Sequence, residues 1–154
     1  MRPVQSVFAA VVLGFAGLGA QASESTGTAQ DCWLPAFKTG DADAVANCYL
    51  ADAVMWFPNG PVAVGREAIR EGYAGYFKAF TIKSASLKEM GRSGSGNDIT
   101  SWGTFEIVMT PKDGGAEVTE RGRYTELSRL VDGRWMYVMD HASDDPPPAA
   151  GPTQ

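Results

Sequence analysis

Histidine is almost missing from this sequence of 154 residues: His141 is the single one. Cysteine is scarce as well, with only Cys32 and Cys48. A centre built from several histidine or thiolate ligands is therefore excluded, and at most a weak carboxylate–histidine metal site could form. No metal and no cofactor is expected. Positive charge is also in short supply, with 13 Lys and Arg against 18 Asp and Glu and a net charge of −5. The basic residues are scattered, so no stripe for nucleic acid exists, and an acidic surface disfavours anionic membranes and polyanions. The glycine-rich stretch GRSGSGND, 91–98, lacks the strand and lysine setting of a phosphate loop. There is no G-x-S-x-G, and Ser143 beside His141 makes no triad.

Long apolar runs are missing too, except at the start. MRPVQSVFAAVVLGFAGLGAQA combines Arg2, an apolar run from Val7 to Ala20 and the small-residue pattern Ala20-Gln21-Ala22. These are the three parts of a secretory signal peptide over residues 1–22, in a run too short for a comfortable membrane span. An uncleaved anchor helix is the alternative. The mature protein is expected to be secreted or periplasmic, with no membrane contact after cleavage. At the other end, DDPPPAAGPTQ has nothing to bury, so residues 146–154 read as a disordered tail and 23–145 as one domain.

An oxidising compartment gives the two cysteines a meaning. Gly40 reads as a helix end and Asp41 as the N-cap of the next helix, midway between Cys32 and Cys48. A helical hairpin turning there sets the two thiols side by side, which predicts a Cys32–Cys48 disulfide against the alternative of two free thiols.

What the chain does contain is an orderly series of elements. Residues 29–39 and 41–50 read as short helices, and AVMWF, 53–57, as a strand stopped by Pro58-Asn59-Gly60-Pro61. In 65–80, Ile69, Tyr73, Tyr76, Phe77 and Phe80 fall at helical spacing, although two internal glycines weaken the helix. Four strands joined by short turns follow: TIKSASLKEM, then ITSWGTFEIVMT after a glycine-rich loop, then 117–130 and 134–142. Short turns imply antiparallel neighbours. Helices early and strands late predict an α+β fold, a curved sheet wrapped around N-terminal helices.

WLPAFKTGDADAVANCYLADAVMWFPNG, then GREAIREGY, then GRYTELSRLVDGRW resembles the nuclear transport factor 2-like superfamily, with its SnoaL-like and ketosteroid-isomerase-like proteins. The likeness runs from about Gln30 to Ser143. It implies a cone-shaped α+β barrel of a mainly antiparallel sheet, an apolar pocket for a small apolar or aromatic molecule, and a homodimer. Trp33, Trp56, Phe57, Tyr73, Phe77, Trp102 and Val138 are the expected pocket residues. Some members are isomerases, dehydratases, cyclases or epoxide hydrolases; others only bind a ligand or hold an assembly together. Glu126 falls where the family has a pocket acid that donates to the substrate oxygen. Trp33 stands at the position of its tyrosine and Phe57 at that of its catalytic aspartate, so steroid isomerase activity is not expected.

The hairpin YTELSRLVDGRWMYVMDHAS, 124–143, carries Glu126, Asp140 and His141 together. If Leu130 and Arg134 flank its turn, Tyr124 faces Asp140, Glu126 faces Val138 and Arg123 faces His141. Alternation then puts Tyr124, Glu126, Val138 and Asp140 on one face, with Tyr137, Met139 and His141 on the other. Two acids set diagonally, roughly 5–8 Å apart at Cβ, in a dry cavity cannot both ionise cheaply, which supplies a general acid and a general base. Tyr124 and His141 are the expected assistants. The plainer readings remain open: a solvated face, arginine pairing through Arg123 or Arg129, or a binding or dimerisation module without catalysis.

Overall fold

The computed structural model describes residues 27–146. The expected signal peptide and the tail beyond Pro146 lie outside the described residues. Helix α1 (Gln30–Thr39) ends at Gly40, whose φ of 71° closes the last turn. Asp41 then caps α2 (Ala42–Ala46), its side chain accepting from the Asp43 and Ala44 amides. The hairpin of helices joins Cys32 to Cys48 in a disulfide, with 5.7 Å between Cα atoms. The second helix is shorter than its sequence suggested. It stops at Ala46, and the chain is already strand at Tyr49.

That strand is β1 (Tyr49–Trp56), followed by a short β2 (Val62–Val64), a strand that the proline-bounded turn hid from the sequence reading. Helix α3 (Arg66–Ala79) buries Ile69, Tyr73 and Phe77, one face at the predicted spacing. Four strands complete the chain: β3 (Phe80–Ser95), β4 (Asp98–Pro111), β5 (Val118–Val131) and β6 (Arg134–Asp144). The stretch expected to be a glycine-rich loop is strand almost throughout. Arg92 pairs with Ser101 and Gly94 with Ile99, so the long β3–β4 ladder overrides the poor strand propensity of glycine.

One six-stranded sheet results, in the order β2-β1-β6-β5-β4-β3. All neighbours are antiparallel except β1 and β6, which are parallel. This is the α+β, curved and mainly antiparallel architecture expected from the sequence. The core lies between the sheet and the helices, where Trp33, Phe37, Tyr49, Ile69, Tyr73 and Tyr137 are buried. Strand β4 shows the logic: Ser101, Gly103, Phe105, Ile107 and Met109 are buried while their neighbours are not.

The β5–β6 register differs from the predicted one. A two-residue turn, Asp132-Gly133, has φ of 51° and 77°, which suits a tight hairpin, so Val131 rather than Leu130 pairs with Arg134. Beyond Ser128–Tyr137 the ladder resumes at Leu127–Met139, leaving Val138 as the extra residue of a bulge. The two one-residue displacements add. Glu126 therefore stands directly opposite Asp140, Tyr124 opposite Ala142 and Arg123 opposite Ser143.

Candidate active site

The inner face of β5 presents Glu120, Gly122, Tyr124, Glu126 and Ser128, by simple alternation. Asp140, Ala142 and Asp144 continue that face on β6. Above them, α1 contributes Trp33 and Phe37 while α3 contributes Tyr73 and Tyr76. Together these elements wall a pocket that opens to solvent at one end. Gly72 helps to shape it: a Cβ there would lie 2.6 Å from the Phe57 ring, so the glycine lets Phe57 lie against α3 and edge-on to Tyr73.

At the closed end sit the two carboxyls. Glu126 is 2% exposed and Asp140 7%. Ser101 Oγ donates to Glu126 Oε1 at 2.7 Å. Burial first, and then the Asp140 charge, push Glu126 from its ordinary value of 4.5 up to about 7; Ser101, Gln30 and Tyr137 pull the other way. Burial also raises Asp140, from 3.8 to about 6, against the lowering effect of Tyr49.

The two acids differ in what reaches them. Tyr49 Oη donates to Asp140 Oδ2 at 2.7 Å, its oxygen lies 2.9 Å from that of Tyr73, and Trp33 Nε1 donates to Tyr73 at 2.9 Å. Tyr49 has one proton and gives it to Asp140, so Tyr73 must donate to Tyr49. Three donors thus point in sequence towards Asp140. Such a chain favours its carboxylate, which leaves Glu126 as the member that keeps a proton. Burial raises the hydroxyls of Tyr49, Tyr73 and Tyr137 far above the ordinary tyrosine value, so they act as donors and not as phenolates.

Of the residues singled out from the sequence, Glu126, Asp140, Tyr124, Trp33, Phe57 and Tyr73 line the cavity. Others do not. Val138 is displaced by the bulge, which turns Tyr137 inward in its place. Phe77 is packed into the core behind the lining. Trp56, His141 and Trp102 lie on the outer face, where Trp56 pairs with His141, His141 with Thr125 and Thr125 with Trp102, in one row across four strands. His141 meets the Trp56 ring edge-on at 5.9 Å, on the face of β6 opposite to that of Asp140. It is thus no assistant to them.

The sequence reading missed Tyr49, Tyr137 and Ser101. Ser101 was accessible from the alternation of β4. Tyr49 was hidden by the over-long second helix, and Tyr137 by a bulge that leaves no mark in the sequence. At the mouth, Glu120 was also missed; Tyr76, which the helical spacing had placed on the apolar face of α3, donates from Oη to Glu120 Oε2 at 2.8 Å.

The family model of the SnoaL-like domain matches residues 32–138. The chain belongs to the SnoaL-like family. No curated protein matches the sequence. Among solved structures, this SnoaL-like chain is similar to a ketosteroid isomerase-like protein from Erwinia carotovora atroseptica, with TM-score 0.69 and 24% identity over 77% of this chain and 92% of that one. A dehydratase candidate of the NTF2-like family from Streptomyces avermitilis gives TM-score 0.65 and 20% identity, over 77% and 93%. A candidate calcium/calmodulin-dependent protein kinase II association domain from Xanthomonas campestris gives 0.62 and 23%, over 75% and 82%. At these identities the likeness shows the fold alone.

Proposed function

We propose that this SnoaL-like protein binds a small apolar or aromatic molecule in its cavity and carries out acid–base chemistry on it, of the lyase or isomerase type. The observation that carries this reading is the directly opposed, buried pair Glu126–Asp140. Near neutral pH it holds one proton between two carboxyls, which is the state a concerted acid–base step requires. Asp140 takes a proton from carbon beside a carbonyl, and Glu126 gives one to a leaving hydroxyl, so that water is lost. In an isomerisation the proton would return to a different carbon instead. The buried Tyr124 hydroxyl, which has no partner of normal geometry among the described residues, donates to the carbonyl oxygen.

The phenylalanine at position 57, where the resembling isomerases have their base, supports a second reading, a ligand-binding module without turnover. The two separate in one experiment. Wild type and the Glu126→Gln and Asp140→Asn variants are incubated with a panel of aromatic β-hydroxy ketones, and loss of water is followed by mass spectrometry. Turnover that disappears in both variants supports catalysis. Binding with no turnover by the wild type supports the module.

An extracytoplasmic location belongs to the same proposal. It is supported by the apolar N-terminal stretch and by the Cys32–Cys48 disulfide, which needs an oxidising compartment. A homodimer through the outer sheet face is supported by the uncharged row of Trp56, Thr125 and Trp102 around His141, and sedimentation of the mature chain tests it.

A further inference from the structure

Among the described residues, the cavity lining contains three carboxyl groups, eight aromatic side chains and no lysine, arginine or histidine. Two of the acids are the pair at the closed end. The third, Glu120, lies near the mouth beside Asp144 of β6; burial first, and Asp144 after it, raise Glu120 above its ordinary value, against the Tyr76 hydroxyl. Neighbouring arginines are engaged on the outer face, Arg121 with Glu106 and Arg123 with Asp145. What reaches the mouth acids is neutral: the Tyr76 hydroxyl on Glu120 and the Asn59 amide on Asp144. Asp144 Oδ1 is buried with no hydrogen-bond partner.

A second observation lies deeper on the same stripe. Tyr124 is 5% exposed, lines the cavity, and its hydroxyl has no partner of normal geometry among the described residues. Gln30 Nε2 likewise has no partner of normal geometry among the described residues, although its amide lies within reach of Tyr124 and Glu126. Buried polar atoms without partners in a walled cavity belong to a site whose polar contacts arrive with the ligand.

We propose that the ligand is a cationic amine with a flat apolar body, its protonated nitrogen held between Glu120 and Asp144 against the Tyr76 ring. This rests on the reading of the cavity as a small-molecule site and adds the charge of its occupant. Carboxylates supply charge-assisted acceptors, and aromatic faces attract cations through their quadrupoles. An anionic ligand would meet three carboxyls and no cation among the lining residues. A neutral one would leave Glu120 and Asp144, diagonal neighbours on β5 and β6, to share a proton without a counter-charge. From Asp140 to Asp144 is four strand residues, about 13 Å, so a bicyclic body with a short amine arm spans from the inner pair to the mouth.

The probes are 2-(2-naphthyl)ethylamine and its neutral counterpart 2-(2-naphthyl)ethanol, titrated by calorimetry at pH 8 into the mature protein. The amine is expected to bind roughly tenfold tighter or more, as a carboxylate contact and a cation–π contact together supply. In Glu120→Gln and in Asp144→Asn that advantage should shrink while the alcohol binds as before. Equal affinity of the two probes in the wild type, with the alcohol still bound, would overturn the amine inference and leave the small-molecule reading standing. Binding of neither would overturn both. An amine preference unchanged in both variants would overturn the assignment to the mouth pair.

Discussion

Glu126 and Asp140 face each other across the β5–β6 ladder, both almost wholly buried, with Tyr49 donating to one and Ser101 to the other. Directly opposed side chains lie about 4.5–5.5 Å apart at Cβ, so charging one makes charging the other costly. This pair dominates the electrostatics of the closed end.

Stability should fall as pH rises from 3.8 to about 7. In the folded protein Glu126 keeps its proton up to about 7, whereas its ordinary value is 4.5. Between those limits the folded state binds the extra proton, so rising pH favours unfolding. Asp140 adds the same sign between 3.8 and about 6. Glu126→Gln, which can still accept from Ser101, should remove most of this slope and stabilise the protein at pH 8 by roughly 2–4 kcal/mol. Urea unfolding at pH 5, 6.5 and 8 measures it; an unchanged slope in the variant contradicts the assignment.

Tyr49→Phe should cost about 1–3 kcal/mol, because Asp140 loses a buried donor and the Tyr73 hydroxyl loses its acceptor. Asp140 should then titrate higher than in the wild type, since Tyr49 is the contact that lowers it. If turnover is found, its acidic limb should move up in pH with the same substitution.

Reducing the Cys32–Cys48 bond releases a large constraint on the unfolded chain. The bridged residues are 16 apart in sequence, and a loop of that size contributes about 3 kcal/mol in the chain-entropy model. The double variant Cys32→Ser/Cys48→Ser should melt well below the oxidised protein, and thermal unfolding with and without reductant checks this.

Gly103→Ala should damage the site selectively. A Cβ there would come within 2.2 Å of the Lys88 carbonyl oxygen and 2.7 Å of the Tyr124 hydroxyl. The β3–β4 ladder or the Tyr124 ring must shift. A loss of stability above 1 kcal/mol, with loss of ligand affinity, is the expected outcome of unfolding and binding measurements.

Much of the fold was legible because it rests on periodicity. The buried stripe of α3, the alternation of β4 and β5 and the capped hairpin of α1 and α2 are all written in residue spacing. The pairing of Glu126 with Asp140 on one face was legible as well, since face depends only on parity. Its exact partner was not. The register turned on whether Val131 or Leu130 closes the hairpin and on a bulge at Val138, both settled by packing of the whole sheet. The loss of His141 and the gain of Tyr137 follow from the same cause: lining residues are chosen by where strands bend. Tyr49 escaped because α2 stops at Ala46, four residues short of the helix expected over 41–50, and the chain is already strand at Tyr49.

The account is tested most directly by a carbon-13 NMR titration of the side-chain carboxyls, assigned with Glu126→Gln and Asp140→Asn. It predicts that Glu126 titrates near 7, and that its midpoint falls in Asp140→Asn while staying above 4.5, because burial remains after the facing charge is removed. Midpoints at the ordinary values of 4.5 for Glu126 and 3.8 for Asp140, each indifferent to the other's substitution, would contradict it.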